Sequence, residues 1–330
     1  MTDYNTSKQG DSEGYSPKSY KDLRNSLQPI EWEWKDWLPR GFLTIIAGES
    51  GAGKSAVSLR LGACFTDALP WPDGTPCTNN GHILWCETEA SQSVNLDRIT
   101  KWGISVEKIL IPTDNPLEDI NLDNPSHRKL ILKAASQPGV KALFFDSLSG
   151  GHKRDENSTR MLELVKFLAA LARDRNIPVI LIHHLRKKGH LDDNTVEMDR
   201  LRGSSSILQS ARVIWALDDP DSSSGNKRLR VIKSNLGDKP NPIGYRVDEN
   251  GVHFGNTPML ISKISAAEEA ANFLRSILQD GPVNAQEIYK TADEFGIQKR
   301  TLNAAKSILG ISSEKEREKN GKWLWELPKL

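Results

Sequence analysis

The sequence predicts an α/β protein with a mostly parallel sheet covered by helices, followed by a small helical domain. Two observations predict the sheet. Strand-like and helical segments alternate from residue 42 to about residue 185, which is the pattern of parallel strands joined by crossover helices. The strand-like segments, such as 142–145 and 178–182, are also continuous apolar runs, as strands covered on both faces must be.

The predicted elements of this part follow in a regular order. Strands are predicted at 42–47, 82–86, 108–112, 142–145 and 178–182, and helices at 54–65, 94–102, 128–136 and 159–175. Aliphatic side chains recur every three or four residues in the last of these helices, so it is amphipathic. Strands then dominate, at 213–217, 228–233, 245–247 and 252–254. The turn residues Asp248-Glu249-Asn250-Gly251 predict a hairpin between the last two.

The two ends of the chain differ from this α/β part, which we place at residues 25–262. Residues 1–24 are rich in Ser, Gly, Asp and Lys and poor in aliphatic residues, which predicts a disordered tail. Residues 263–330 have helical patterns at 266–279, 285–295 and 298–309 and an alternating strand at 322–327. Three short helices followed by a hairpin predict a winged-helix domain.

Composition excludes several classes of protein. The 330 residues carry 44 Lys+Arg and 43 Asp+Glu, a net charge of +1, which excludes a globally basic nucleic-acid coat but not a local basic groove. Cys64, Cys77 and Cys86 have no CxxC spacing, which argues against a disulfide framework and a four-cysteine zinc site. The chain has neither the roughly 18 consecutive apolar residues of a membrane span nor the apolar core of a signal peptide. We therefore expect a cytoplasmic protein without membrane association.

A phosphate-binding loop is the most specific motif of the chain. Residues 48–55 match G-x-x-x-x-G-K-[ST] in full, between an apolar strand and a helix. Glycines let the backbone direct its N–H groups at phosphate oxygens, and the helix adds its positive dipole end. Lys54 is expected to reach the β- and γ-phosphates, and the Ser55 hydroxyl to hold Mg²⁺. The expected nucleotide-binding residues are Gly48, Glu49, Ser50, Gly51, Ala52, Gly53, Lys54 and Ser55.

Acidic residues after two further strands complete the predicted site. Asp146 ends an apolar strand, as the Mg²⁺-orienting aspartate of a Walker B segment does. Because the carboxyl ends of parallel strands lie at one edge of a sheet, Asp146 is expected beside Ser55. Hydrolysis also needs a carboxylate that polarises water. Glu89, shortly after the strand at 82–86, is the preferred candidate, and Glu87 is the alternative.

The motifs occur in an order that resembles a known family. The phosphate loop, the glutamate and the strand ending in Asp146 precede His183-His184-Leu185-Arg186-Lys187, Arg202-Gly203-Ser204-Ser205 and Lys233-Ser234-Asn235-Leu236-Gly237. Over about residues 28–255 this order resembles the RecA-like ATPases of the RepA type, the replicative helicases of plasmids, phages and other mobile elements. The resemblance implies a core that binds ATP and Mg²⁺ and forms a homo-oligomeric ring, usually a hexamer, with ATP between subunits. DNA, chiefly single-stranded, and replication proteins of the mobile element are the implied partners.

The resemblance also implies roles for individual residues. His184, or its neighbour His183, is similar to the sensor that couples loss of the γ-phosphate to DNA-binding loops. Lys233 is similar to a lysine that reaches the γ-phosphate on the neighbouring subunit. The family often has an arginine two residues later, where this chain has Asn235. Two alternatives follow for this chain: Lys233 acts alone, or Arg228 or Arg230 assists it.

Two charged loops are the expected DNA contacts of the ring. Their candidate cations are Lys153, Arg154, Lys188, Arg200 and Arg202. Each phosphate contact would contribute a salt-sensitive share of affinity. Arg202 is alternatively a second contact between subunits, and both loops also carry acids, so a simply solvated loop remains open.

Three functions remain compatible with the sequence. The first is Mg²⁺-dependent ATP hydrolysis coupled to translocation on single-stranded DNA by a hexameric replicative helicase of a mobile element. The second is a DNA-dependent ATPase that forms filaments or acts as a loader. The third is an ATP-controlled regulatory or defence adaptor that recruits proteins through its C-terminal domain. The summed charge of residues 266–330 is close to zero, so DNA binding and protein docking both remain open for that domain.

Overall fold

The computed structural model describes residues 17–24, 29–115, 117–151, 161–185, 195–201, 205–220, 225–257, 266–316 and 321–328. The chain divides into two units, Met1–Met259 and Leu260–Leu330. The domain boundary predicted after residue 262 lies outside the described residues. No helix in the described ranges is long and apolar enough to cross a membrane.

The elements of the first unit agree closely with those predicted. They are α1 (Tyr20–Leu23), β1 (Trp32–Trp34), β2 (Leu38–Pro39), β3 (Leu43–Gly48), α2 (Lys54–Thr66), β4 (His82–Glu87), α3 (Gln92–Lys101), β5 (Ile109–Leu110), α4 (Pro125–Ala135), β6 (Val140–Asp146), α5 (Met161–Arg175), β7 (Val179–His184), α6 (Ser205–Ser210), β8 (Val213–Asp218), β9 (Lys227–Ser234), β10 (Ile243–Asp248) and β11 (Gly251–Gly255). The sequence pattern did not reveal α1, β1, β2 or α6, because elements of two to six residues are too short to show a periodicity.

A nine-stranded sheet, counted over the described residues, forms the centre of this unit in the order β11-β10-β9-β8-β3-β7-β6-β4-β5. The strands from β8 to β5 in this order are parallel. The remaining strands, β9, β10 and β11, continue the sheet as an antiparallel meander. The hairpin between β10 and β11 pairs Asp248 with Gly251, as its turn residues predicted. The predicted α/β fold with a mostly parallel sheet is therefore confirmed.

Apolar side chains cover both faces of the sheet. Phe144 and Phe145 are adjacent on β6 and belong to different core clusters, because successive strand residues point to opposite faces. Buried residues of α4 and α5 belong to the cluster on one face. Buried residues of α2 and a group of tryptophans belong to the other, where Trp34 stacks on Trp37 with ring centroids 4.4 Å apart. Because apolar side chains pack against both faces of the sheet, the central strands are continuous apolar runs in the sequence.

Only residues 17–24 of the predicted disordered tail, residues 1–24, are described, and the disorder of this tail remains a prediction. Residues 17–24 are exposed, and four of them form α1. The Ser19 hydroxyl accepts a hydrogen bond from the Asp22 N–H, and the Asp22 carboxylate accepts one from the Ser19 N–H. This reciprocal capping stabilises the start of a helix that composition alone does not reveal. Residues 1–16 of the predicted tail lie outside the described residues.

The second unit has a small core of its own. Its elements are α7 (Ala266–Leu278), β12 (Val283–Asn284), α8 (Ala285–Glu294), α9 (Lys299–Ile308), β13 (Ser312–Lys315) and β14 (Trp323–Glu326). The strands form an antiparallel sheet in the order β12-β14-β13. Leu274, Ile288, Leu302 and Trp325 are buried between this sheet and the helices. The assignment of this arrangement as a winged helix remains a prediction.

Candidate nucleotide-binding site

The carboxyl ends of four parallel strands bring the predicted site residues to one edge of the sheet. Gly48, the last residue of β3, is in register with His184 on β7. Glu87, the last residue of β4, is in register with Asp146 on β6. The phosphate loop begins where β3 ends, so the loop, the acids and the histidine face a common region.

The phosphate loop has the backbone that its glycines predict. Gly51 and Gly53 have φ angles of +78° and +87°, a left-handed conformation that other residues adopt only with strain. A side chain at Gly48 would bring its Cβ within 3.0 Å of the Leu217 Cβ on β8. Helix α2 begins at Lys54, directly after Gly53, so its positive dipole end faces the loop.

Two side chains from the antiparallel strands support the loop from outside the motif. Lys227 on β9 donates a hydrogen bond to the Gly51 carbonyl at 2.6 Å. The Tyr245 hydroxyl on β10 donates one to the Ala52 carbonyl at 2.6 Å, and burial raises the pKa of that hydroxyl. Sequence reasoning missed both residues, because neither belongs to a recognisable motif.

Lys54 lies among carboxylates. Its side chain is buried, and its Nζ donates hydrogen bonds to the Gly48 and Glu49 carbonyls at 3.0 and 2.9 Å. Burial lowers the pKa of Lys54, and the nearby Asp146, Glu89 and Glu49 act in the opposite direction. The amine is therefore placed to neutralise negative charge at the centre of this edge.

Asp146 and Ser55 have the chemistry of a Mg²⁺ site. Burial raises the pKa of Asp146 to about 7, and the charges of Glu87 and Glu89 also act to raise it, against a hydrogen bond with Ser55 and the charge of Lys54. A hydroxyl and a carboxylate are the hard oxygen ligands that Mg²⁺ prefers, and one or two protein ligands are usual when phosphates supply the rest. The residues therefore fit the cation that the phosphate loop implies.

The two candidate bases, Glu87 and Glu89, are in different environments. Glu87 is 5% exposed, and its carboxylate accepts hydrogen bonds from the N–H groups of Thr88 and Glu89 and from the side chains of Asn95 and Trp85. The Glu89 side chain is 41% exposed and accepts a hydrogen bond from the Ser147 hydroxyl. Glu87 is thus a buried structural acceptor, whereas Glu89 keeps an accessible carboxylate.

The two neighbouring histidines differ in the same way. The side chain of His184 is 32% exposed, and its Nε2 lies 3.4 Å from a carboxylate oxygen of Glu89. His183, which points to the opposite face of the sheet, is fully buried. The structure therefore places His184 at the site and His183 in the interior.

The cations predicted to act between subunits have partners within this chain. Lys233 donates hydrogen bonds to the Leu208 and Ala211 carbonyls, at 2.5 and 2.8 Å, at the carboxyl end of α6. Arg228 and Arg230 both pair with the fully buried Asp218, at 2.6 and 2.5 Å. The action of Lys233 on a neighbouring subunit remains a prediction, which requires it to leave these carbonyls.

Of the predicted DNA contacts, only Arg200 is described. It is 3% exposed, its guanidinium pairs with the carboxylate of Glu49, and it donates a hydrogen bond to the Thr195 carbonyl at 2.8 Å. This pair joins the phosphate loop to residues 195–201, a contact that the sequence did not predict. A DNA contact by Arg200 remains a prediction. The other candidates lie outside the described residues: Lys153, Arg154, Lys188 and Arg202.

The fold and the site together define a RecA-like P-loop ATPase, as the order of motifs predicted. Residues 12–190 match the AAA domain family designated AAA_25, and the chain belongs to this family. No curated protein matches the sequence.

Solved structures share the fold at low sequence identity. A DnaB-like replicative helicase studied with primase has a TM-score of 0.52 at 15% identity, covering 71% of this chain and 64% of its own. A KaiC-like protein from Pyrococcus horikoshii OT3 has a TM-score of 0.51 at 15% identity, covering 69% and 100%. A third structure, described as an ATPase domain, has a TM-score of 0.52 at 13% identity, covering 71% and 95%. At these identities the likeness shows the fold alone.

Proposed function

We propose that this chain hydrolyses ATP with Mg²⁺ and couples hydrolysis to translocation on single-stranded DNA, as a ring-forming, hexameric replicative helicase of a mobile element. The observation that carries the proposal is the position of Glu89. Its accessible carboxylate lies near Asp146 and Lys54, and its Oε1 lies 3.4 Å from the Nε2 of His184. His184 ends β7, two residues before the segment 186–194 that contains Lys188 and that the sequence predicts to be part of a DNA-binding loop.

Each group at the site has a distinct task in hydrolysis. The loop N–H groups and the Lys54 amine hold the phosphates, and Ser55 and Asp146 would hold Mg²⁺, which neutralises charge as the γ-phosphate leaves. Glu89 accepts a proton from the attacking water as general base. The Ser147 hydroxyl and the His184 ring both contact Oε1 of Glu89, and these contacts orient the carboxylate. The Glu87 carboxylate accepts a hydrogen bond from the Asn95 side chain and so connects the end of β4 to α3.

Two contacts support coupling between the nucleotide site and the predicted DNA loop. His184 lies on the amino-terminal side of that loop and contacts Glu89. Arg200 lies within the segment after residues 186–194 and contacts Glu49 of the phosphate loop. A change at the γ-phosphate would therefore act on the described residues that flank the loop on both sides.

A direct test compares ATP hydrolysis with and without single-stranded DNA and measures strand displacement from a forked duplex. We expect DNA to stimulate hydrolysis and the forked duplex to be unwound, both only with Mg²⁺. Lys54→Ala is the control for contaminating activity and is expected to be inactive. DNA coating without displacement would favour a filament former or loader instead. Hydrolysis that is indifferent to DNA would favour an adaptor, and full activity of Lys54→Ala would overturn the site assignment.

The role of Lys233 between subunits predicts recovery of activity in mixtures. Lys233→Ala and Lys54→Ala are each expected to be inactive alone. In mixed rings about one interface in four joins an intact Lys54 to an intact Lys233, so activity should return to about a quarter of the wild-type value. Lys239→Ala is the matched control, because Lys239 also donates to a backbone carbonyl, that of Ile232, at 2.7 Å. Absence of recovery from two folded, mixed variants would contradict the role.

A further inference from the structure

The second unit contains a pocket that the ATPase site does not explain. Its volume is about 560 Å³, within the usual range for small-molecule sites. The start of α8, one residue of α9 and the strands β13 and β14 line it. All of its lining residues lie between 284 and 325, so the pocket belongs to this unit alone.

Aromatic side chains form one side of the pocket. Trp323 and Trp325 are two residues apart on β14, the central strand of the small sheet, so both project from the same face. Trp325 is buried and packs edge-on against Tyr289, with ring centroids 5.2 Å apart. Trp323 also lines the pocket but is 54% exposed. The pocket is thus lined both by a packed aromatic pair, Tyr289 and Trp325, and by a tryptophan that is accessible to a ligand, Trp323.

The charge in the pocket is positive. Lys306 and Lys322 line it, and none of the described lining residues is acidic, although acids and bases are almost equal in number over the chain. The Lys306 Nζ lies 4.1 Å from the centre of the Trp325 ring, which places the cation over that indole. Gln286 and Ser313 supply hydrogen-bonding groups. The nearby Glu316 carboxylate accepts a hydrogen bond from the Lys322 N–H, outside the lining.

We propose that this pocket binds one nucleotide unit of single-stranded DNA, with the base stacked on Trp323 and the adjoining phosphate held by Lys306 and Lys322. Such a ligand combines a flat π face with a phosphate anion, and it matches a pocket that an exposed indole and two lysines line. Bases within a duplex are already stacked and cannot use the platform. The inference rests on the proposed function in taking DNA as the partner, and it adds a contact outside the ATPase site.

The test measures binding of a fluorescent oligothymidylate to the full chain by anisotropy, without ATP. Trp323→Ala is expected to weaken binding about tenfold or more, and Trp323→Phe to retain most of it, because a ring still offers a stacking face. Lys306→Ala and Lys322→Ala should each lower the slope of log affinity against log salt by about 0.7. A duplex of the same length should bind equally to wild type and Trp323→Ala.

Matched controls come from the same unit. Phe295→Ala removes an aromatic side chain that is 70% exposed and outside the pocket, and Lys290→Ala removes a lysine of α8 that does not line the pocket. Both should bind oligothymidylate like wild type, and all variants should keep the DNA-independent ATPase rate and the melting temperature. Equal binding by wild type and folded Trp323→Ala would overturn the assignment of the pocket as a DNA-binding site, without affecting the proposed function. If wild type does not bind the oligonucleotide and its ATPase rate does not change with DNA, both the pocket assignment and the proposed function are wrong.

Discussion

Glu89→Gln is expected to reduce ATP turnover by about 10²- to 10⁴-fold, because a neutral amide cannot accept the proton of the attacking water. Nucleotide binding should be retained, since Lys54, Ser55 and the loop backbone are unchanged. Folding should also be little affected, because the Glu89 side chain is 41% exposed. Single-turnover hydrolysis and equilibrium binding of a labelled ATP analogue separate these two expectations.

Glu87→Gln is the matched control, with the same chemical change two residues earlier. The Glu87 carboxylate accepts hydrogen bonds from several donors, among them Asn95 at 2.9 Å and the Glu89 N–H at 3.1 Å. The glutamine amide nitrogen is itself a donor and would face these N–H donors in place of an acceptor oxygen. The free energy of unfolding should therefore fall by about 1–3 kcal/mol. Turnover by the folded fraction should fall by less than about tenfold. The reverse result, with turnover lost only in Glu87→Gln, would transfer the role of base to Glu87.

Asp146→Asn is expected to abolish Mg²⁺-dependent hydrolysis and at the same time to stabilise the metal-free protein at neutral pH. Burial raises the pKa of Asp146 from 3.8 to about 7, so the folded state binds this proton more tightly than the unfolded chain does. Wild type therefore loses stability as the pH rises from about 4 to about 7. The neutral amide removes this loss. At about pH 8 the free energy of unfolding of the variant should therefore exceed that of wild type by on the order of 1–4 kcal/mol.

Urea unfolding in the presence of a chelator measures this effect. Wild type and Asp146→Asn should differ least at about pH 4 and most at about pH 8, because the aspartate is protonated in both states only at low pH. Addition of Mg²⁺ with an ATP analogue should stabilise wild type more than the variant, because the variant lacks one of the two expected Mg²⁺ ligands. A variant that is less stable than wild type at about pH 8 would show that the Asp146 charge does not destabilise the metal-free protein.

Much of the site could be predicted because its motifs are contiguous. Residues 48–55 combine a strand, a glycine turn and a helix start in a single run, and the left-handed backbone at Gly51 and Gly53 is a local reason for glycine. Asp146 could be placed beside Ser55 because parallel strands end at one edge of a sheet. The hydrogen bond between these residues agrees with that placement.

Other contacts were not predictable, because they join residues far apart in the chain. Tyr245 supports Ala52 across 193 positions, Lys227 supports Gly51 across 176, and Arg200 pairs with Glu49 across 151. Tyr245, Lys227 and Arg200 belong to no motif that would indicate their partners in the phosphate loop. The order of the strands decides such contacts, since β8 and β9 lie on one side of β3 and β7 on the other.

The sequence by itself determined the class of chemistry, a P-loop ATPase with a parallel sheet, because strand periodicity and the phosphate loop are local properties of the chain. Only the tertiary structure decided which side chains remain available for that chemistry. Within each of the pairs Glu87 and Glu89, and His183 and His184, the two residues are of the same type in the sequence. In the structure, the two members of each pair differ in burial and in the groups that they contact. Burial and hydrogen bonding depend on neighbours brought in from other strands, so the order and register of the sheet make this selection.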